Sequence, residues 1–258
     1  MNTSSKKELY PFGYGKFIGS CVVSTTLAIS IYLPLRFLGS IKIEGKEHIR
    51  HARKFGKDGL LIVGNHPSLL EPIAIACAFG LPWALFNLKF HPYQTPDEIN
   101  FVKKFKWLRY GAVIPIRRTS KGGRNDVTAL YQLLYVLRYQ RAVILFSEGT
   151  RTGNAKEILL VTGLNQIPIG TPKSSIGYLL VNEGLNPMIL PVLSVNTHLI
   201  HPIKGRINPF AKAKIVFGKP FFGEELLTCL PRPSGVSDIA YMQMLSNEVM
   251  YRIADLDT

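Results

Sequence analysis

Two apolar runs, each followed at once by a polar cluster, constrain the fold of this chain most strongly. Leu60–Val63 precedes Gly64 and the cluster Asn65–Pro72, and Ala142–Leu145 precedes the cluster Phe146–Arg151. A short apolar run that ends in a polar loop is typical of a buried strand leading into a helix. If both strands are parallel, their polar ends meet at one edge of a sheet. The pattern therefore predicts an α/β fold with a mostly parallel or mixed sheet flanked by helices.

The first cluster spaces a histidine and an acid for proton transfer. His66 can take a proton from a substrate hydroxyl while Glu71 orients the ring and stabilises the imidazolium. Such a pair also occurs by chance, in which case His66 is a polar loop residue and Glu71 an acid favoured at a helix N-terminus. The second polar cluster favours the catalytic interpretation.

Four blocks, in order, resemble the 1-acylglycerol-3-phosphate (lysophosphatidic acid) acyltransferase family of glycerolipid acyltransferases. Asn65–Pro72 is similar to the family's Asn-His-x-x-x-x-Asp block, and Phe146–Arg151 to its Phe-Pro-Glu-Gly-Thr-Arg block. Gly111–Arg118 resembles the second block, which ends in an arginine, and Ile189–Val192 the fourth, an apolar strand containing a proline. The resemblance covers roughly residues 40–220 and implies a glycerolipid acyltransferase-like fold.

Three departures from the family pattern concern the site. Glu71 stands where Asp is usual, so the carboxylate is one methylene longer and must fold back to reach the imidazole. Ser147 stands where proline is usual. After the third block the family commonly continues through a short Phe-Lys-x-Gly stretch, and here we expect Lys173 and Gly177, in the longer segment 171–178, to substitute for it.

The resemblance implies an acyl transfer that needs no metal, because the thiolate of a thioester is a good leaving group. In this reaction His66 would be the base and Glu71 its orienting acid. Arg117 and Arg151 would bind the phosphate of the acceptor through two-bond contacts, and Arg118 is the alternative to Arg117.

The third block offers further contacts to a substrate. A glycine allows close backbone approach and a threonine offers a hydroxyl. Glu148 would hold the loop or a substrate hydroxyl, unless it pairs only with the arginine that follows. The predicted substrate-binding set is Asn65, Ser68, Arg117, Arg118, Glu148, Gly149, Thr150, Arg151 and Lys173.

The charge balance predicts an anionic partner. The chain carries 31 Lys and Arg against 17 Asp and Glu, a net charge of +14. Nucleic acid, acidic lipid and a phosphorylated substrate all fit this charge. The sequence lacks the pattern of any nucleic-acid-binding module and has an apolar N-terminal segment, so we expect membrane lipid as a partner and no nucleic acid.

Cysteine and histidine spacing predicts neither a disulfide framework nor a metal site. Cys21, Cys77 and Cys229 share no close spacing, which also indicates a reducing compartment. His198 and His201 have no nearby cysteine or acid, so we predict no metal. No cofactor is expected beyond acyl-CoA or an acyl carrier protein as the co-substrate that the resemblance implies.

The N-terminal segment from Phe17 to Leu35 carries no charge, and its 19 residues are just long enough to cross a bilayer. It either spans the membrane or lies in one leaflet, with a buried soluble helix as the third option. Basic residues flank both ends, so they set no orientation. We expect a membrane-associating segment at 1–40, an acyltransferase domain at 41–258, and a catalytic domain that faces the cytoplasm.

Hydrophobic periodicity predicts further elements. We expect an edge strand at 41–44, a basic solvated connector at 46–57, and helices at 72–79, 98–108, 126–139 and 237–254. We expect strands at 83–88, 113–116, 188–195 and 213–217.

The resemblance implies transfer of a fatty acyl group to a lysophospholipid hydroxyl, with 1-acylglycerol-3-phosphate as the expected acceptor and phosphatidic acid as the product. Two alternatives stay open. One is a different lysolipid or glycolipid acceptor. The other is a catalytically degenerate protein that binds lipid without turnover, because Glu71 departs from the usual residue.

Overall fold

The computed structural model describes residues 14–83, 87–116, 127–149, 151, 158–162, 167–181, 185–202 and 205–257. The strands along this part of the chain are β1 Ile41–Glu44, β2 Leu60–Gly64, β3 Tyr93–Gln94, β4 Ala142–Leu145, β5 Ile158–Thr162, β6 Ile167–Gly170, β7 Met188–Val195, β8 Ala213–Phe217 and β9 Phe221–Phe222. The α-helices are α1 Tyr14–Leu27, α2 Leu33–Phe37, α3 Lys46–Ala52, α4 Glu71–Gly80, α5 Val127–Arg138, α6 Ser175–Val181, α7 Thr197–Ile200, α8 Gly223–Cys229 and α9 Asp238–Ala254.

A mixed sheet in the order β1-β8-β7-β2-β4-β3, with β9 beside β7, lies at the centre of the described structure. β2 pairs in parallel with both β4 and β7, and β3 pairs in parallel with β4. β8 and β9 run antiparallel to β7, and β1 is parallel to β8. Gly64, Leu145 and Val195 therefore end their strands at one edge, which we call the carboxyl edge. The predicted mostly parallel α/β sheet is confirmed.

Both faces of the sheet are covered, which explains why its central strands are apolar without alternation. Leu61 and Val63 pack on one side with residues of α5, α6 and α9. Leu60 and Ile62 pack on the other side with residues of α3, α4 and the N-terminal segment. Successive side chains of a strand point to opposite faces, so a continuously apolar strand fits this three-layer arrangement.

Most predicted elements are confirmed. The strands at 41–44, 188–195 and 213–217 appear as β1, β7 and β8, and β1 lies at the sheet edge. The helices predicted at 72–79 and 126–139 appear as α4 and α5, although residue 126 lies outside the described residues. The helix predicted at 237–254 appears as α9, and Ser237 caps its N-terminus, because Ser237 Oγ accepts a hydrogen bond of 3.3 Å from Ala240 N–H.

Four predictions of local structure were wrong. The connector at 46–57 contains α3, and Ile49, Ala52 and Phe55 are buried there, so tertiary packing fixes a segment that looks solvated in sequence. Of the strand expected at 83–88, residues 84–86 lie outside the described residues, the remaining three are not in a strand, and a short strand, β3, forms later. The expected helix at 98–108 is a π-helical turn, Glu98–Val102, and a 3-10 turn, Lys106–Tyr110. Segment 113–116 makes only isolated parallel bridges to residues 94 and 97.

α1, the π-helical turn Ala28–Tyr32 and α2 follow one another without a break and form what we call the N-terminal helix. Its part from Ile18 to Phe37 is long and apolar enough to cross a membrane by length and composition. One side packs on the domain, where Ala28, Tyr32 and Leu35 join the core. The opposite side is an exposed apolar stripe formed by Ile18, Val22, Ile29, Leu33 and Phe37.

Candidate active site

The loop that follows β2 is fixed to β7 by a buried asparagine. The Asn65 side chain is fully buried, and its Nδ2 donates to Ser194 O at 3.0 Å. Ser194 N–H donates back to Asn65 Oδ1 at 2.7 Å. Both polar ends of the amide are therefore used on the backbone of the neighbouring strand, and the next residue, His66, is held at the carboxyl edge.

Glu71 begins α4 and is fully buried beneath the histidine loop. Its carboxylate accepts hydrogen bonds from Ser68 N–H at 3.0 Å, from Ser68 Oγ at 2.7 Å and from Thr197 Oγ1. Burial alone would raise the pKa of Glu71, but the hydrogen bond and charge of His66 and the hydroxyls of Thr197 and Ser68 hold this pKa below its ordinary value. The carboxylate is therefore ionised at neutral pH.

His66 lies beside this carboxylate, with Nδ1 at 3.1 Å from Glu71 Oε2. A carboxylate only accepts hydrogen bonds, so Nδ1 carries a proton, and in the neutral ring Nε2 keeps its lone pair. The ring stacks on Phe146, with centroids 4.4 Å apart. The side chain is 12% exposed, which limits its motion and leaves one edge open to a ligand. This arrangement is that of an oriented general base.

The third block meets this loop because β2 and β4 are parallel and in register, Val63 opposite Leu145. His66 N–H donates to Oε1 of the buried Glu148 at 3.3 Å. Ser147, in the place of the usual proline, directs its hydroxyl to Met250 Sδ of α9 at 3.2 Å. The two polar clusters thus converge, as the strand pattern predicts.

An apolar groove of about 570 Å³ leads to His66. It runs between the N-terminal helix and the domain, and its walls include Ile31, Leu35, Ile73 and Trp107. This volume lies within the range of sites that bury ligands of several hundred daltons. His66 therefore opens onto a space suited to a hydrocarbon chain.

Comparison with known proteins agrees with this geometry. The Acyltransferase family model matches residues 40–195, more than half of the chain. The chain belongs to the acyltransferase family. Among solved structures it is similar to a 1-acyl-sn-glycerophosphate (LPA) acyltransferase, PlsC, from Thermotoga maritima, with a TM-score of 0.50 and 18% identity over 90% of this chain and 79% of that chain. At this identity the likeness shows the fold alone. No curated protein sequence matches significantly.

The contacts of this acyltransferase distinguish two kinds of predicted site residue. Asn65 and Ser68 are fully buried. The Asn65 side chain hydrogen-bonds to the backbone of Ser194, and the Ser68 side chain hydrogen-bonds to Glu71. These contacts indicate a positioning role in place of the direct substrate contact that we predict from the sequence. The longer Glu71 still reaches the imidazole, at 3.1 Å, and Ser68 N–H and Thr197 Oγ1 hold its carboxylate there.

The cationic residues predicted to bind phosphate are placed only in part. Arg151 is half-buried just beyond the third block. Lys173 N–H donates to Ser147 O at 2.7 Å, and its side chain lies across Gly149, where an added Cβ would meet Lys173 Cγ at 3.4 Å. Arg117, Arg118 and Thr150 lie outside the described residues. Gly177 serves packing instead, because its Cα faces the backbone of α9.

Sequence reasoning missed three residues that shape the site. Ser194 and Thr197 hold the histidine loop and its acid, and Phe146 supports the imidazole ring. The one sequence feature that could have revealed these three residues is their position at or beside the carboxyl ends of β7 and β4. His201 also lines the groove. Among the residues that the structure describes, no group of three or more His, Cys, Asp or Glu is arranged to hold a metal ion.

Proposed function

We propose that this acyltransferase moves a fatty acyl group from an acyl-CoA or acyl carrier protein thioester to the hydroxyl of 1-acylglycerol-3-phosphate, giving phosphatidic acid. The observation that carries the proposal is the His66–Glu71 pair at 3.1 Å beside the apolar groove. An intact, ionised and oriented pair fits turnover better than passive lipid binding.

The reaction follows from the protonation states of the pair. Nε2 of His66 takes the proton of the acceptor hydroxyl as the oxygen attacks the thioester carbonyl. Glu71 stabilises the imidazolium that forms, because the buried carboxylate keeps its charge 3.1 Å from Nδ1. The tetrahedral intermediate expels the thiolate, which receives the proton from His66. The proton and the acyl group are thus both accounted for.

A phosphate on the acceptor fits the cationic residues near the third block. Arg151 follows the loop that holds His66, and Lys173 lies across Gly149 of the same loop. We assign the clamp to Arg151 with Arg117, because a guanidinium makes planar two-bond contacts with a phosphate.

We further propose that the N-terminal helix lies in one leaflet of the membrane. The helix, roughly 36 Å long at 1.5 Å per residue, packs on the domain along most of its length. An added Cβ at Gly19 would lie 2.3 Å from Tyr110 O, Ser24 Oγ lies 3.4 Å from His91 Nδ1, and Leu35 is in the core. A helix crossing the bilayer upright in this arrangement would draw the domain into the hydrocarbon. The free cysteines favour a domain on the cytoplasmic side.

The direct test is to supply purified protein with acyl-CoA and lysophosphatidic acid and to follow both thiol release and phosphatidic acid. We expect both products with the wild type and neither with His66→Ala, whose circular-dichroism spectrum should show that it is folded. Retention of bound lysolipid without thiol release would instead indicate a lipid-binding protein. Faster transfer to another lysolipid or to a glycolipid would reassign the acceptor.

A further inference from the structure

A second cavity, of about 240 Å³, lies on the other flank of the N-terminal helix from the groove. We call it the basic pocket. It is bounded by the end of that helix, by α3 and by the carboxyl end of α4, and its lining contains four cationic residues and no acid. The lining residues are Tyr32, Arg36, Ile43, Lys46, Ile49, Arg50, Arg53 and Ala78.

The convergence of these cations follows from helix geometry. Lys46, Arg50 and Arg53 are spaced by four and then three residues along α3 and its C-cap, which places them on one side of the helix. The N-terminal helix adds Arg36, one turn after Tyr32. Four positive charges therefore face one small space.

Structural roles account for only two of the four cations. Arg53 donates to carbonyls at the end of α4, with Nε at 2.8 Å from Phe79 O, and Arg36 donates to Ile41 O at 2.7 Å. The side chains of Lys46 and Arg50 make no hydrogen bond or ion pair with any residue that the structure describes. Burial is the main cause of the lowered pKa of Arg53, and repulsion by the positive charge of Arg50 lowers this pKa further. An anion in the pocket would relieve this repulsion.

The surroundings of the basic pocket indicate where such an anion comes from. Arg36 is adjacent in sequence to Phe37, which is 94% exposed and ends the apolar stripe of the N-terminal helix. A ligand with a phosphate in the pocket and hydrocarbon along the stripe would satisfy both surfaces. Basic residues immediately beside a membrane-associated helix are the usual means of binding anionic lipid headgroups.

We propose that the basic pocket binds the phosphate of an anionic phospholipid whose acyl chains lie along the exposed stripe of the N-terminal helix. The site is separate from the catalytic one. Pro72, at the start of α4, lines the groove and Ala78, six residues later, lines the pocket, so roughly 9 Å along α4, at 1.5 Å per residue, separates these two linings. The proposal does not require that the acyl-transfer assignment be right.

The test compares binding of the full chain to vesicles of phosphatidylcholine alone and of phosphatidylcholine mixed with phosphatidylglycerol. The pocket variant is Lys46→Gln with Arg50→Gln. The control is Lys57→Gln with Lys219→Gln, which removes the same charge from exposed lysines outside the pocket. We expect the pocket variant to bind the anionic vesicles about tenfold to thirtyfold more weakly, and the control to bind like the wild type. Binding to neutral vesicles should be the same for all three.

Three results would overturn the proposal. Equal losses in both double variants would mean that diffuse charge attracts the membrane, and no loss in the pocket variant would mean that the pocket is not used. If inorganic phosphate raises the melting temperature of the wild type but not of the pocket variant, while vesicle binding is unchanged, the ligand is a soluble phosphate. Arg50→Gln alone repeats the comparison should the double variant melt earlier than the wild type.

Discussion

His66 donates its backbone N–H to Oε1 of Glu148 at 3.3 Å, although 82 residues separate them in the chain. The bond joins the first sequence block to the third and fixes the backbone that carries the imidazole ring. It exists because β2 and β4 are parallel neighbours whose ends coincide. In the proposed reaction Glu148 would therefore act through the position of His66.

We expect Glu148→Ala to lower kcat about tenfold to a hundredfold, because a small displacement of the base is costly in rate. Glu148→Gln keeps an acceptor oxygen and should recover part of that loss. The measurement is steady-state kinetics with lysophosphatidic acid, together with the melting temperature of each variant. Wild-type kcat in Glu148→Ala would show that the loop holds its position without this bond.

Glu71→Gln should impair transfer severely. The groups around the carboxylate, including His66 Nδ1–H and Ser68 N–H, are donors, so the new amide NH₂ would face another donor. Glu71→Asp should keep some activity, because a shorter carboxylate can still accept. A Glu71→Gln variant as active as the wild type would contradict the role of Glu71 in orienting His66.

The same substitution should change how stability depends on pH. The folded-state pKa of Glu71 lies below its ordinary 4.5, so the ionised carboxylate stabilises the fold above about pH 4.5. This contribution disappears as the pH falls through the folded-state pKa. We expect Glu71→Gln to lower the free energy of unfolding by ~3 kcal/mol at pH 7 and by less in acid, measured by urea denaturation. If the difference in free energy of unfolding between the wild type and Glu71→Gln did not change with pH, the ionised state of Glu71 would be wrong.

Arg151→Lys should impair transfer to lysophosphatidic acid by about thirtyfold to a hundredfold in kcat/KM, because lysine cannot make the planar two-bond contact. Arg117→Lys should have a smaller effect of the same kind. Transfer to a neutral monoacylglycerol and slow hydrolysis of acyl-CoA should hardly change. Equal losses on both acceptors would mean that the arginines hold the loop or the phosphates of the donor.

Gly177→Ala should destabilise the fold by ~3 kcal/mol or more, because the added Cβ would lie 2.0 Å from Met242 O of α9. Gly56→Ala is the matched control. Nothing lies within 4 Å of a Cβ there, so its effect should be neutral or slightly stabilising. Chemical denaturation of both variants gives the comparison, and similar stabilities would contradict the close packing of α6 on α9.

Ile29→Lys should weaken binding to neutral vesicles about tenfold or more, because it puts a charge on the stripe that we place in the leaflet. Ile29 is 62% exposed, so the fold should tolerate the change. Ile239→Lys, at a residue 74% exposed on α9 across the sheet, is the control and should bind as the wild type does. Equal binding by all three proteins would place the membrane-facing surface elsewhere.

The sequence by itself determined the sheet and the chemical pair. Runs such as Leu60–Gly64 and Met188–Val195 are apolar without alternation, and only strands buried on both faces suit that pattern. The sequence predicts the pairing of His66 with Glu71 because the two are only five residues apart, in one loop and at the start of the helix that follows it. The resemblance in four blocks added the reaction that this pair would serve.

Only the tertiary structure decided what surrounds the pair. Ser194 and Thr197 reach Asn65 and Glu71 because β7 lies beside β2 in a particular register, and no local pattern reports which strands become neighbours. The same holds for α3 and the N-terminal helix. The buried side of each is defined by the surface on which the helix packs. α3 has too few apolar residues to reveal that side, and the N-terminal helix is apolar on its exposed side as well.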